Sequence, residues 1–408
     1  MRNIDEILTF CVNLGRQMIV SGANLERVQL AIEFICRAYK LKDVSIFMLS
    51  TNLSVSAYDS EGNYSSRQVT VPAAGIHLER LKSLNQLSYK VAEITPTPKL
   101  LDKMLERAME VHNYSDSVIL LGRISAMCCL CFMFGGNVFT LIPVSLVTAL
   151  LHFLMKAFER SGFDVILINA LTMLIATFAA IFLVYFGVGD NLSVVLITIS
   201  LLMIPGIPLV NAMKNLLCGR EINGILQLLK IFIETMALGL GIYLALVLFQ
   251  PYLKILNAEP LTQPLSLIFL SYAASLSFAI VFQVNPKDLY LAGFGGAFTR
   301  IALVSLTPII PNRLLYMTIS ALVAALYAEF LAIRRRQPST YFVYPAIIPL
   351  IPGDLFFYTL AGLFLGDKAW VQSYGLNCLL SLLGLSFGFV LSSTVSHYVR
   401  KLRYMNMN

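Results

Sequence analysis

The chain has 408 residues, of which 57% are hydrophobic and only 13% charged. A soluble domain carries about 25% charged residues, so most of this chain is built for lipid rather than water. The net charge of +7 does not indicate nucleic acid: residues 1–115 hold 13 Lys and Arg against 12 Asp and Glu, with no basic stripe interleaved with aromatics.

Charge is dense at the start and sparse afterwards. The first 115 residues hold 25 charged side chains and the remaining 293 hold 28. A soluble region 1–115 is therefore expected, followed by a membrane region. Met1-Arg2-Asn3-Ile4-Asp5-Glu6 lacks an apolar core, so no cleavable signal peptide is expected. Ile4, Ile7, Leu8, Cys11, Leu14 and Met18 recur at helical spacing and predict a helix over 4–20. Ser21-Gly22-Ala23-Asn24 stops it, and Asn24 caps a second helix over 25–39. Alternation at Val44, Ile46 and Met48 and at Leu53, Val55 and Ala57 predicts two strands. A turn at Asp59-Ser60-Glu61-Gly62-Asn63 leads to a third near 65–71, and two helices follow near 78–92 and 98–111. The region reads as an α+β domain.

Chemistry in this region is sparse. His77 stands beside Glu79 and Arg80 without a nucleophile motif, and reads as a capping or surface histidine. His112 reads the same way, and Glu26 and Arg27 as a solvated helix face or a partner contact. Cys128-Cys129-x-Cys131 has no His or carboxylate at ligand spacing, so small apolar packing is expected there. No metal, cofactor or enzymatic constellation is expected.

Ten stretches are long and apolar enough to span a bilayer: 117–136, 138–156, 164–187, 191–214, 225–249, 264–284, 288–308, 313–333, 341–364 and 374–397. With 1–115 in the cytoplasm, one side collects Lys156, Arg160, Lys214, Arg220, Lys287, Arg334, Arg335, Arg336, Arg400, Lys401 and Arg403. The other collects Lys254, Arg313 and Lys368. Eleven against three fits the positive-inside rule, with both termini cytoplasmic. A bacterial inner membrane is expected.

The spans carry an internal duplication. Leu202-Met203-Ile204-Pro205-Gly206-Ile207-Pro208 is echoed by Pro349-Leu350-Ile351-Pro352-Gly353-Asp354, offset by 147 residues. Each motif lies in the fourth span of a five-span block, 116–250 and 264–400, joined by a linker 251–263 containing Pro251 and Pro260 and ending in a basic tail 401–408. Five is odd, so the second block enters from the opposite face. The expected architecture is a polytopic α-helical membrane protein of about ten spans in two inverted five-helix repeats, a layout typical of secondary transporters.

The two Pro-Gly breaks, Pro205-Gly206 and Pro352-Gly353, interrupt the helix ladder and are expected to meet near the midplane, where half-helix N-termini favour a carboxylate. Asp354 follows the second break and is a candidate for a substrate ammonium or a proton. Arg300 is expected to face an acid or substrate, and Asn211 to offer neutral hydrogen bonds. Glu234 is a second proton candidate, with Lys230 one turn away to neutralise it. Glu329 is expected to pair with Arg334–Arg336, Arg123 to snorkel, and His152 and His397 to face the interface rather than carry protons.

Ser21-Gly22-Ala23-x-x-Glu26-Arg27-Val28, Arg37-Ala38-Tyr39, Gly75-Ile76-x-Leu78-Glu79-Arg80, Phe134-Gly135-Gly136 and the two Pro-Gly breaks, in this order, resemble the threonine/serine exporter family. The resemblance covers essentially the whole chain. It implies export of small amino acids, chiefly threonine and serine, driven by the proton motive force. Related two-chain systems imply small dicarboxylates such as succinate as an alternative substrate. A membrane-bound sensor or hydrolase using the first 115 residues is a reading of a different class, against which the duplication argues. Expected partners are the amino acid, protons and the bilayer, with no nucleic acid; self-association into a homo-oligomer is left open.

Overall fold

The computed structural model describes residues 4–49, 51–72, 75–158, 162, 164–249 and 260–405, with backbone alone for 396–405. Most of the linker 251–263, the end of the tail 401–408, Arg160 and Lys254 lie outside these residues, as do the side chains of His397, Arg400, Lys401 and Arg403. The chain forms two compact units. One comprises Met1–Tyr114 with Phe282–Asp288 and Ala328–Phe342; the other comprises Ser115–Val281, Leu289–Tyr327 and Val343–Asn408.

The first unit contains α1 (Ile4–Val20), α2 (Leu25–Ala38), β1 (Lys42–Leu49), β2 (Asn52–Tyr58), β3 (Tyr64–Thr70), α3 (Leu78–Ile94) and α4 (Pro98–Met109). The strands form an antiparallel sheet in the order β1-β2-β3, with Ile46 opposite Val55 and Met48 opposite Leu53. Leu53, Val55 and Ala57 are fully buried and their neighbours in β2 are less so, as period-2 alternation requires. Burying a side chain the size of Leu53 or Val55 contributes about 1.5–3 kcal/mol. Helix α1 crosses β2 at Gly15, where a Cβ would stand 2.5 Å from Leu53 Cδ2.

The Ser-Gly-Ala turn after α1 needs glycine, because Gly22 has φ +94° and a Cβ there would meet the Gly75 carbonyl at 3.2 Å. Residues 75–77 run alongside, with the Gly75 amide on the Val20 carbonyl and the His77 amide on the Ser21 carbonyl. Asn24 caps α2 by accepting from the Arg27 amide at 2.9 Å. Arg27 itself donates from Nε to Asn85 Oδ1 and from Nη2 to Tyr89 OH, so it ties α2 to α3.

His77 caps α3. Its Nδ1 accepts from the Arg80 amide at 3.2 Å, which places the ring proton on Nε2, facing Asn113 Oδ1. Burial, the largest cause, pushes the imidazole pKa below its ordinary value of 6.5 against the opposing bond to Asn113. A depressed folded-state value means that the neutral cap stabilises fully above pH 6.5 and is lost as pH falls through the folded value. Amide exchange at Arg80 is therefore expected to accelerate from pH 8 toward pH 5 beyond its intrinsic pH trend. In His77→Asn, whose side chain caps without titrating, that excess should vanish; an unchanged excess would assign it elsewhere.

The first two bonds of α3 beyond this cap come from the same unit. The Leu78 and Glu79 amides donate to the Phe282 and Gln283 carbonyls, at 2.9 and 3.1 Å. Tyr341 OH meets Glu79 Oε2 at 2.9 Å and Asp288 Oδ2 at 3.3 Å.

The remaining helices are α5 (Asp116–Met133), α6 (Leu141–Phe158), α7 (Val165–Tyr185), α8 (Leu192–Met203), α9 (Gly206–Leu217), α10 (Glu221–Leu248), α11 (Pro264–Val281), α12 (Leu289–Leu306), α13 (Arg313–Arg335), α14 (Thr340–Ile347), α15 (Gly353–Leu365) and α16 (Lys368–Met405). Among the described residues, eight helices are long and apolar enough to cross a membrane. Two bent pairs, α8 with α9 at 58° and Thr340–Leu350 with α15 at 55°, are long and apolar enough only when each pair is taken together, as a broken span or a re-entrant loop. The molecule is a polytopic membrane protein with eight to ten spans. Large apolar side chains such as Leu146, Phe153 and Phe182 are more than half exposed, as lipid-facing helices require. Small residues set the helix contacts: a Cβ on Gly241 would stand 2.3 Å from the Ala170 carbonyl, and one on Gly388 2.6 Å from the Thr318 carbonyl.

Candidate functional site

Ile204-Pro205-Gly206 and Ile351-Pro352-Gly353 are identical in sequence and adopt the same backbone. Pro205 has φ −78°, ψ 67° and Pro352 has φ −80°, ψ 59°. In each, the glycine amide donates to the isoleucine carbonyl two residues back, at 2.8 Å, which makes an inverse γ-turn. In each, the proline carbonyl then accepts the first helical bond, from Leu209 at 3.0 Å and from Phe356 at 3.1 Å. The turn diverts the glycine amide from the carbonyl four residues back, so the Leu202 and Pro349 carbonyls lose their helical donors.

The two breaks touch. A Cβ on Gly206 would stand 2.7 Å from Ile351 Cγ2, and one on Gly353 would stand 2.7 Å from Leu201 Cγ. Glycine at both turns therefore lets each break approach the other broken helix. Asn211, on the helix after the first break, donates to Tyr344 OH, on the helix before the second, at 3.1 Å.

Arg300 reaches the second break from α12. Its Nη2 donates to the released Pro349 carbonyl at 3.1 Å and its Nε to Ser271 Oγ at 2.9 Å. A charge-assisted bond thus replaces the helical bond lost to the turn. Asp354, the second residue of α15, accepts from the Leu355 amide and lies in the electrostatic range of Arg300 and Arg313. At the first break the matching positions are Ile207 and Pro208, so that helix start carries no acid of its own where Asp354 stands in the second, and Pro208 offers no amide.

Pro205, Gly206, Asn211, Pro352, Gly353, Asp354 and Arg300 are thus brought to the two adjoining breaks. Glu234 is placed differently: on α10 it lies 3.8 Å from Lys230 Nζ, one turn away. Three participants escaped the sequence reading. Arg313, taken only as a loop charge, lies near Asp354 and donates to Ser381 Oγ at 3.2 Å. Tyr344 and Ser271 are uncharged and carry no sequence signal beyond lying in spans. The signal available for Ser271 was indirect, since an arginine in a span needs acceptors for a planar five-donor fork. Where α15 packs on α10, a space of about 30 Å³ is lined by residues that include Gly239, Tyr243, Phe357 and Phe364.

Residues 9–249 match the family model described as "Putative threonine/serine exporter", and residues 267–395 match the one described as "Threonine/Serine exporter, ThrE". The chain belongs to the threonine/serine exporter family. The first match covers more than half of the chain, and together the two include both Pro-Gly breaks, Arg300 and Asp354. No curated protein and no solved structure gives a match. Membership makes this a transporter family protein rather than a member of an enzyme family.

Proposed function

We propose that the chain is a secondary transporter that exports threonine and serine from the cytoplasm in exchange for protons. The observation that carries the reading is the contact between two identical Ile-Pro-Gly turns, 147 residues apart in sequence, with Arg300 and Asp354 beside them. The equal turns support two inverted five-helix repeats, and the Lys and Arg bias supports both termini in the cytoplasm of a bacterial cell. A zwitterion suits the charges. Its carboxylate sits between the N-terminus of α9 and Arg300, its ammonium at Asp354, and its hydroxyl within reach of Asn211 and Tyr344. Asp354 holds either the ammonium or a proton, which makes the exchange obligatory. Glu234 meets Lys230 rather than either break, and takes the supporting place among proton carriers. A dicarboxylate would set its second negative charge against Asp354, which favours amino acids over succinate.

Cells loaded with threonine and serine dipeptides should release threonine and serine faster with this chain than without it, and succinate at the same rate. Succinate release that depends on the chain, with threonine and serine unchanged, would overturn the substrate assignment.

A further inference from the structure

The first five spans hold a buried polar seam that the substrate site does not use. His152 on α6 is only 4% exposed. Its position near a span end had suggested the interface, but His152 is buried on a helix packed by α5, α7 and α8. His152 Nε2 lies 3.4 Å from Asp116 Oδ1 on α5, an ion-pair distance rather than a formed hydrogen bond. Asp116 is half exposed, and its Oδ2 meets Lys156 Nζ at 2.8 Å. The remaining charge on the helices around His152 is Arg123 on α5, whose Nη1 points to Met155 Sδ at 3.7 Å. Helices α7 and α8 contain no Asp, Glu, Lys, Arg or His.

Four further buried threonines lie on α6, α7 and α8. Thr148 lies one turn before His152 on the same face of α6, Thr172 and Thr177 are on α7, and Thr198 is on α8. All four are fully buried, and none of their hydroxyls, nor His152 Nδ1, has a hydrogen-bond partner among the described residues. Threonines within the other spans behave otherwise, Thr340 at the start of α14 apart. Thr235, Thr299, Thr318 and Thr359 each donate to the carbonyl four residues back, at 2.6 to 2.7 Å. Buried hydroxyls turned away from that default acceptor call for another one, which a single water molecule would supply. Thr198 lies three residues before Leu201, whose side chain packs on Gly353 beside Asp354. Helices α5, α6, α7 and α8 pack in succession and α8 packs on α15, so these groups lie on consecutive helices between the exposed Asp116 and Asp354.

We propose that Asp116, His152 and the hydroxyls of Thr148, Thr172, Thr177 and Thr198 form the path by which the exchanged proton leaves Asp354 for the cytoplasm. A proton released at Asp354 passes along the hydroxyls and their waters to His152, and from His152 Nε2 to Asp116 Oδ1, which delivers it to bulk water. All four threonines are fully buried, so the path carries protons and not an amino acid. The inference rests on the proton exchange proposed above.

The test uses the full chain in proteoliposomes enclosing a pH-sensitive dye, with a threonine gradient as the driving force. Labelled-threonine exchange is measured in parallel, since exchange needs only the substrate site. His152→Gln is expected to slow threonine-driven proton movement about tenfold or more while exchange stays within about twofold. Thr177→Val, which keeps shape and removes the hydroxyl, is expected to slow it several-fold, and Thr177→Ser to restore it. Proton movement at the parent rate in both His152→Gln and Thr177→Val would overturn the path. So would a parallel loss of exchange and proton movement in Thr177→Val, which marks a packing role. A parent protein that exchanges threonine and moves no protons would instead overturn proton exchange itself, and the path with it.

Discussion

Asp354→Asn protein is expected to reach the membrane in normal amounts and to export threonine about tenfold more slowly or worse, because a charge-assisted bond to the substrate ammonium contributes roughly 1.5–3 kcal/mol. Asparagine keeps the size of the side chain and can still accept from the Leu355 amide, so the start of α15 should hold. What it loses is the negative charge facing Arg300 and Arg313 and the ability to take up a proton. Both losses strike the transport step rather than the fold. The comparison is initial efflux per unit of membrane-inserted protein. Parent-rate efflux would remove Asp354 from the mechanism.

Replacing Arg300 should harm the fold of the second break as well as transport. The Pro349 carbonyl is released by the turn at Pro352 and is satisfied by Arg300 Nη2 at 3.1 Å. Leaving such a carbonyl unpaired in a low-dielectric interior costs about 1–3 kcal/mol. Lysine retains the charge but lacks the planar fork that holds Ser271 Oγ and the Pro349 carbonyl together. Arg300→Lys is therefore expected to melt several degrees lower in detergent and to export threonine roughly tenfold more slowly. Arg300→Met should be worse in both respects, and Ser271→Ala milder in both. A lysine variant with the parent's melting point and rate would show that the carbonyl needs no fixed donor.

The charge density of residues 1–115, the apolar spans and the repeated Ile-Pro-Gly were legible because each is a local property of the chain. Hydrophobic runs and proline positions dictate where helices form and stop. The bends of 58° and 55° fall at the two prolines for that reason. Boundaries were less legible where capping decides. The first span stops at Met133 because Gly135 turns the chain at φ +85°, and the last begins early because Asp367 Oδ1 caps it by accepting from Ala369 and Trp370. Side-chain partners distant in sequence were not legible. Arg300 and the Pro349 carbonyl are 49 residues apart, and Arg27 and Asn85 are 58 apart. His152 shows the limit best: its place near a span end argues for the interface, and only the packing of three neighbouring helices buries it.

The proposed export of threonine and serine draws on membership in the threonine/serine exporter family and on the charges at the paired breaks. Its most direct test is efflux of labelled threonine and serine from proteoliposomes containing only this purified chain, with an inward proton gradient imposed or collapsed. Release of both amino acids that rises with the gradient and is suppressed in Asp354→Asn is the expected result. Release no faster than from protein-free vesicles, with or without the gradient, would contradict it.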